Sequence, residues 1–201
     1  MSTNIANQDF ISDIKEIREL FDYGSYHDVL KVTENIGTAS EAYLLRLLSQ
    51  ALLGQGETLR HELEEALKLT PNNPNWLSEQ GLAALMIGRV DQARDKLEQV
   101  TSSQEARAID YSRLGAVYLT KLDLEASRQA YQEAVYREPG RAEWHNNLAG
   151  ILVRQHKLEE ALENYDIALK LKPELSQAIE SRQKVLLALE RTEEVVDDIR
   201  Q

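Results

Sequence analysis

Two consecutive stretches of equal length decide the fold. Residues 108–141 read AIDYSRLGAVYLTKLDLEASRQAYQEAVYREPGR, and residues 142–175 read AEWHNNLAGILVRQHKLEEALENYDIALKLKPEL. Aligned with each other, the two stretches agree in residue size at several positions. The matching columns are Ser127 with Ala161, Tyr131 with Tyr165, Ala134 with Ala168, and Pro139 with Pro173. A fixed period of 34 residues predicts one helical hairpin repeated along the chain, in which each hairpin needs its neighbours to bury its apolar face.

The same period continues toward the N-terminus. Gly81 precedes Gly115 by 34 residues, and Leu63 and Leu97 extend the column of large residues that contains Tyr131. We therefore divide the chain into an N-terminal extension (1–9), a short first repeat (10–39), four 34-residue repeats (40–175) and a partial sixth repeat or capping helix (176–201). All of these segments belong to one continuous domain in this interpretation.

Composition supports an all-helical fold and excludes several function classes. Leu, Glu and Ala, which are good helix formers, supply more than a third of the 201 residues, whereas Gly and Pro together number only 13. The net charge of −11 disfavours binding to a nucleic-acid backbone. It also predicts a partner that is basic, or at least not strongly acidic. Without cysteine, the chain has no disulfide and no thiolate ligand or nucleophile.

Local signals mark helix starts and turns. Asn73 followed by Pro74 is typical of a helix N-terminus, and Ser102 with Glu105 predicts a capping box before the fourth repeat. Glycines lie where hairpins must turn, but the turns at 121–123 and 155–157 lack them. The glycines are Gly24, Gly54, Gly56 and Gly88.

These residues carry a family resemblance. The sequence resembles the tetratricopeptide repeat (TPR) proteins, whose 34-residue unit has aromatic, Leu-Gly, Tyr, Ala, aromatic and Pro residues at fixed offsets. The fourth repeat offers Tyr111, Leu114, Gly115, Tyr118, Tyr131, Ala134 and Pro139. The resemblance implies an all-α fold, a right-handed α-solenoid of stacked antiparallel helix pairs, with about five TPR-like repeats and a C-terminal capping helix.

One face of the first helix of each repeat points away from the hairpin core. The second, sixth, ninth and thirteenth residues fall within about 60° of one another on a helical wheel, and in a solenoid such faces line a concave groove. We expect this groove to bind a peptide or helix of a partner protein. The candidate residues are Leu48, Asn75, Glu79, Leu82, Met86, Ile109, Arg113, Ala116, Thr120, Glu143, Asn147, Gly150 and Arg154.

Other interpretations of these residues stay open. Leu48 is equally compatible with packing between repeats, a helical methionine often fills a core gap, and Arg113 and Arg154 are equally compatible with ordinary solvated charges. A sub-class of the TPR family binds C-terminal chaperone peptides through a clamp of Lys and Asn. At the matching positions, this chain retains only Arg113, with Leu44, Leu48, Ser78 and Leu82 at the others.

The sequence contains no motif that would carry catalysis. Phosphate-binding loops, G-x-S-x-G turns and H-E-x-x-H pairs are missing. The pairs His61 with Glu65 and His156 with Glu160 offer only two ligands each, so we expect surface charge pairs with no metal and no cofactor.

We therefore predict a non-enzymatic, cytoplasmic scaffold or adaptor that binds a protein partner, with no affinity for nucleic acid or membrane. The alternative is an N-terminal recruitment or regulatory module of a larger enzyme, for example a glycosyl- or sulfo-transferase. Leu186, Leu187 and Leu189 are too many apolar residues for one buried stripe. This excess makes self-association through the C-terminal helix a further possibility.

Overall fold

The computed structural model describes residues 14–34, 36, 40–55, 59–70 and 73–191. Within these ranges every regular element is helical. The described part of α1 covers residues 14–22. The helices that follow are α2 (Tyr26–Val32), α3 (Glu41–Gln50), α4 (Arg60–Ala66), α5 (Pro74–Met86), α6 (Val90–Thr101), α7 (Ala108–Thr120), α8 (Leu124–Arg137), α9 (Ala142–Arg154), α10 (Leu158–Leu171) and α11 (Ser176–Ala188). A π-helical turn, Ala51–Gln55, follows α3.

The chain divides into two compact units, residues 1–105 and 106–201. In unit 1, α5 packs on α6, and α3 contacts α2, α4 and α5. In unit 2, α7 pairs with α8 and α9 pairs with α10, while α8 also contacts α9 and α10 also contacts α11. Each unit is thus built from helical hairpins packed on their neighbours, as the period predicts. The predicted extension (1–9) and the last ten residues of the predicted partial repeat (192–201) lie outside the described residues.

Two helix starts are fixed by side-chain caps, and the one at Asn73 is predicted from the sequence. The Asn73 side chain accepts a hydrogen bond from the Trp76 N–H at 2.8 Å, with Pro74 in the first helical turn. Its amide nitrogen also donates to Glu41 Oε2 at 3.0 Å, which joins the start of α5 to the start of α3. Ser40 caps α3 by accepting from the Tyr43 N–H at 3.2 Å. These contacts satisfy donors that a helix N-terminus otherwise leaves unpaired.

The predicted capping box of Ser102 and Glu105 is wrong. The Ser102 hydroxyl donates back to the Glu98 carbonyl at 2.7 Å, because Ser102 ends α6 instead of starting the next helix. Helix α7 begins later, at Ala108, and the Asp110 carboxylate accepts from the Arg107 N–H at 2.8 Å. The Asp110 carboxylate in the first turn therefore stabilises the N-terminus of α7, both by its hydrogen bond with the backbone and by its interaction with the helix dipole.

Hairpin turns share one backbone feature. A single residue with positive φ recurs every 34 residues, with φ of 98° at Gly54, 82° at Gly88, 61° at Leu122, 60° at His156 and 59° at Glu190. Gly24, in the shorter first hairpin, has a φ of 79°. The turns that lack glycine thus adopt the same left-handed conformation as those that have it. Gly56 lies outside the described residues.

The core of unit 2 lies beneath α9. Ala149, Ala161 and Ala168 are fully buried, and the small side chains let the helices approach while Tyr131 and Tyr165 fill the space between them. Of the three C-terminal leucines, Leu186 is fully buried in this cluster, Leu189 packs against its edge and Leu187 is 54% exposed. Among the described residues, no helix combines the length and the apolarity that a bilayer crossing requires.

Candidate functional site

A cleft of about 190 Å³ lies in unit 2, and it brings together three of the residues predicted for the groove. Helix α9 supplies half of its lining residues, with single contributions from α7, α8 and α10 and two from α11. The lining residues are Leu119, Tyr131, Asn146, Asn147, Gly150, Ile151, Arg154, Tyr165, Gln177 and Ser181. Asn147, Gly150 and Arg154 are the three predicted members.

The helical repeat places Asn146, Gly150 and Arg154 in one row. They are spaced four residues apart, so they lie above one another on the same side of α9. Gly150 contributes no side chain, and a Cβ there would meet only the Tyr165 hydroxyl, at 3.9 Å. The middle of the row is therefore open between an amide at one end and a guanidinium at the other.

Buried contacts on other sides of α9 hold this row in place. Leu148 and Ala149, on the core side, belong to the cluster described above. The His145 ring is buried, with Nδ1 3.2 Å from Asn164 Oδ1 and Nε2 3.1 Å from the Pro139 carbonyl oxygen. The imidazole thus connects α9 both to α10 and to the turn that precedes α9, which fixes the rotation of the helix.

Two tyrosines form the inner wall of the cleft. Burial raises the pKa of Tyr131 to about 12. Burial also raises the pKa of Tyr165, an effect that a hydrogen bond with Ser181 partly offsets. Both hydroxyls stay neutral at physiological pH, so this wall offers hydrogen bonds without charge.

The polar residues at the cleft differ in the hydrogen bonds and ion pairs that they make within the protein. The Asn147 carbonyl oxygen accepts only a long 3.5 Å bond from the Asn146 amide nitrogen, and the Asn147 side chain is half-buried. Arg154 is exposed, and within the described chain no carboxylate lies within ion-pairing distance of its guanidinium. An incoming acceptor can therefore reach Arg154 without displacing an internal partner.

The remaining predicted residues of unit 2 do not line the cleft. Arg113 is buried, with Nη1 3.9 Å from an Asp110 oxygen. Glu143 pairs with Lys172 at 2.9 Å, and Thr120 donates to the Ala116 carbonyl at 2.9 Å. Ile109 packs against a small cluster made by Ala108, Ala134 and Trp144. Of these five, Glu143 and Thr120 are exposed, and Ile109 and Ala116 are half-buried.

The predicted residues of unit 1 divide into two groups. Leu48 and Glu79 are fully buried, so their side chains belong to the interior of the unit and present no surface. Asn75, Leu82 and Met86 are half-buried on α5.

Sequence reasoning missed several lining residues, two of which a simple signal would have identified. Gln177 and Ser181 occupy the second and sixth positions of the partial repeat that starts at Ser176, so they follow the same face rule as the predicted residues. Asn146 lies at the fifth position of its repeat, just beside the predicted face. The sequence places Tyr131 and Tyr165 in the column of large residues, and the structure places them both in the core and at the wall of the cleft.

Unit 1 contains a second cleft, of about 360 Å³. None of the predicted residues lines it, and the segments 56–58 and 71–72, which border its lining residues in sequence, lie outside the described chain. Lys68 contributes an ion pair with Glu65 at 2.5 Å, which lowers the pKa of Glu65. Within the described residues, no group of three or more His, Cys, Asp or Glu is placed to hold a metal ion. We therefore take the cleft of unit 2 as the candidate site.

Comparison with known proteins gives a consistent result. A family model described as tetratricopeptide repeat matches residues 60–108 and 113–176, more than half of the chain. Superkiller complex protein 3 of Mus musculus is 30% identical over 135 residues, which is 62% of this chain. The chain spans only 8% of the length of that relative.

Solved structures share the fold at low sequence identity. A crystal structure of MamA has a TM-score of 0.64 and 20% identity, covering 75% of this chain and 88% of that chain. The first TPR domain of Spaghetti (RPAP3), bound to the HSP90 peptide SRMEEVD, has a TM-score of 0.56 and 20% identity. That match covers 58% of this chain and 92% of the other. At this identity, the likeness extends to the fold alone.

Proposed function

Because the chain belongs to the tetratricopeptide repeat family, we propose that it is a non-enzymatic adaptor that binds a segment of a partner protein. The binding surface is the cleft of unit 2, with Asn147, Gly150 and Arg154 as its central residues. Within unit 2, the other predicted groove residues with accessible surface extend this surface in the proposal; they are Ile109, Ala116, Thr120 and Glu143. In unit 1, Asn75, Leu82 and Met86 on α5 are proposed as a separate contact surface for the partner.

One observation carries the proposal: three of the residues predicted for the groove, Asn147, Gly150 and Arg154, line one cleft. An open row over Gly150 admits the backbone of a ligand, and Arg154 and Asn147 supply groups that fix its orientation. A structure of similar fold holds a seven-residue peptide, which supports a protein segment as the ligand class.

The charge of the chain sets an expectation for the partner. At a net charge of −11, long-range repulsion disfavours strongly acidic segments, and a basic segment associates faster at low salt. Arg113, the one residue shared with the chaperone-peptide clamp, is buried close to Asp110. We therefore propose a partner that is not recognised through a terminal carboxylate at that position.

The proposal is tested by selecting binders from a displayed library of proteome-derived peptides and measuring their affinity by calorimetry. The double variant Asn147→Ala with Arg154→Ala removes both orienting groups, and we expect it to weaken binding at least tenfold. The matched control is Glu159→Ala with Lys170→Ala, two exposed positions on α10 that do not line the cleft.

Equal affinities for the wild type and for both double variants would contradict the proposed site. Selection of no peptide above background would contradict the proposed function itself. Circular dichroism on each variant establishes that the helical content is unchanged.

A further inference from the structure

An arginine in the fourth repeat fills the space between an aromatic ring and a carboxylate. Arg137 Cζ lies 4.7 Å from the centroid of the Tyr111 ring, and its Nη2 donates to the Tyr111 hydroxyl at 3.3 Å. Its Nε donates to Glu133 Oε1 at 2.8 Å, and its Nη1 donates to the Ala106 carbonyl at 3.0 Å. The contacts combine the stacking and the directional hydrogen bonds that distinguish a guanidinium from an ammonium.

The second repeat has the ring and the carboxylate but lacks the arginine. Two periods of 34 residues earlier, Tyr43, Glu65 and Leu69 stand at the positions of the tyrosine, the glutamate and the arginine. The counterpart of Ala106, residue 38, lies outside the described residues, so the comparison rests on the ring and the carboxylate. In the third and fifth repeats the first two positions hold no such pair; they are Leu77 with Gln99 and His145 with Ile167.

A cleft lies at the place where the second repeat lacks the arginine. It is the cleft of unit 1, with a volume of about 360 Å³, and Tyr43, Glu65 and Leu69 all line it. This volume is at the lower end of the range for ligand pockets, about 300–1,000 Å³, and it accommodates a single side chain. Tyr43 is half-buried and Glu65 is exposed, so a group from solution can reach both.

The charges at this cleft favour a cation. Two carboxylates, those of Glu62 and Glu65, line it together with one ammonium, that of Lys68. Lys68 Nζ lies 2.5 Å from Glu65 Oε1, but both side chains are exposed and water screens such a pair. A guanidinium that pairs with Glu65 and also stacks on Tyr43 therefore replaces the ammonium with little loss. The net charge of −11 adds long-range attraction for a basic segment.

We propose that the cleft of unit 1 binds the guanidinium group of an arginine side chain in a basic segment of a partner protein. The guanidinium stacks on the Tyr43 ring and donates to the Glu65 carboxylate, in the arrangement that Arg137 has in the fourth repeat. Lysine fits less well, because an ammonium has no flat face to stack and no rigid set of donors. The inference goes beyond the function proposed above, because it concerns unit 1 and a different chemistry.

The test titrates the full chain with two capped tripeptides of equal charge, one with a central arginine and one with a central lysine, each between alanines. Ethylguanidinium is the third probe. Binding is read at constant ionic strength from the NMR signals of the Tyr43 ring and of the Glu65 and Leu69 backbone amides. We expect saturable shifts, with a dissociation constant about threefold lower for the arginine peptide than for the lysine peptide.

Two outcomes of this titration would overturn the inference. Equal dissociation constants for the arginine and lysine peptides would make the cleft a general cation patch. Ethylguanidinium that binds more tightly than the arginine peptide would assign the cleft to a free guanidino compound instead of a protein side chain.

Variants of the ring and the carboxylate make the assignment specific. Glu65→Gln removes the negative charge and is expected to weaken binding of the arginine peptide about threefold. Tyr43→Leu removes the stacking surface and is expected to weaken it as well, whereas Tyr43→Phe keeps the ring and retains most of the binding. The matched control is Glu105→Gln, an exposed position of unit 1 outside the cleft with the same change in charge. A control that weakens binding as much as Glu65→Gln would contradict the site.

Leu69→Arg tests the comparison between repeats directly. The new side chain is expected to occupy the cleft as Arg137 does in the fourth repeat, which abolishes binding of the arginine peptide. It is also expected to give a higher melting temperature than Leu69→Lys, which adds the same charge without a guanidinium. Equal melting temperatures for these two variants would show that the cleft does not select a guanidinium. Either result leaves peptide capture by the cleft of unit 2 to be judged by its own experiment.

Discussion

Gly115 on α7 lies directly against the ring of Tyr131 on α8. A Cβ atom built on Gly115 would be 2.8 Å from Tyr131 Cδ2 and 2.9 Å from Cε2, closer than such atoms approach in real proteins. The same relationship exists one repeat earlier, where a Cβ on Gly81 would be 2.7 Å from Leu97 Cγ. The glycine column and the large-residue column of the repeat are therefore two sides of one helix–helix contact.

Gly115→Ala is expected to destabilise unit 2. Overpacking costs about 1–3 kcal/mol, and the better helix propensity of Ala returns up to about 1 kcal/mol, so we expect a net loss of about 1 kcal/mol in the free energy of unfolding. Urea unfolding followed by circular dichroism measures it. The control is Gly140→Ala, because a Cβ on Gly140 meets no atom within 4 Å. A Gly115→Ala protein more stable than the wild type would contradict the tight contact.

Tyr131 is expected to make stability depend on alkaline pH. Its folded-state pKa is raised to about 12 from a reference of 10.0, so the unfolded chain releases this proton first. Stability is fully present below pH 10 and is lost as the pH rises toward 12. By linkage, the loss amounts to up to about 2–3 kcal/mol.

The measurement compares urea unfolding of the wild type and Tyr131→Phe at several pH values between 9 and 11.5. The variant has no phenolic proton at this position to lose, so its free energy of unfolding is expected to fall less steeply as the pH rises. Tyr136→Phe serves as the control, because Tyr136 is 82% exposed. Parallel pH profiles for the wild type and Tyr131→Phe would refute the expectation.

Packing between helices could be predicted from the sequence, whereas details of the connections could not. The columns of Gly115 and Tyr131 are visible in a single sequence because each contact is repeated at a fixed spacing. The repeat period predicts the start of α7 at Ala108 correctly. The predicted cap is wrong because Ser102 and Glu105 have the spacing of a capping box, while the chain continues α6 to Thr101 and uses Asp110 instead. The spacing of two residues alone does not show whether they end one helix or start the next.

A substitution in the turn at Leu122 is expected to stabilise the protein, whereas Gly115→Ala is expected to destabilise it. Leu122 has a φ of 61° and is 74% exposed, so it bears the steric cost of the left-handed region while contributing little packing. That cost is about 1–2 kcal/mol for a residue with a Cβ, and the greater flexibility of an unfolded glycine offsets part of the gain. We expect Leu122→Gly to stabilise the protein by about 0.5–1 kcal/mol.

Thermal and urea unfolding of Leu122→Gly measure this gain. The control is Lys121→Gly in the same turn, where φ is −83° and glycine brings only an entropic cost. We expect that control to be slightly less stable than the wild type. Stabilisation by both substitutions, or by neither, would show that the left-handed conformation at Leu122 is not the cause.

Only part of the site can be predicted from the sequence, and individual residues show the physical reason. Asn147, Gly150 and Arg154 follow from helical geometry, which the sequence encodes directly. The burial of Arg113 near Asp110 does not, because the sequence does not give the depth at which two charges three residues apart come to lie. The unpaired oxygen of Asn146 depends on every neighbouring donor, and a helical wheel contains no such information.

Gln80 supports a last prediction, in unit 1. It is fully buried on α5, and its Nε2 donates to the Ala66 carbonyl at 2.7 Å and to the Leu69 carbonyl at 2.9 Å, at the end of α4. Its Oε1 accepts from Lys96 Nζ at 2.9 Å. Gln80→Leu keeps the volume but removes the donor, so carbonyl groups at a helix end lose their partner.

We expect Gln80→Leu to lower the free energy of unfolding by about 1–3 kcal/mol, the cost of leaving a buried polar group unsatisfied. Urea unfolding measures it, with the exposed Gln99→Leu on α6 as the matched control. Gln80→Glu separates the two halves of the amide, because a glutamate still accepts from Lys96 but no longer donates to the carbonyls. If the carbonyl contacts are what matter, Gln80→Glu is destabilised as well. A Gln80→Glu protein as stable as the wild type would instead assign the stabilisation to the Lys96 contact.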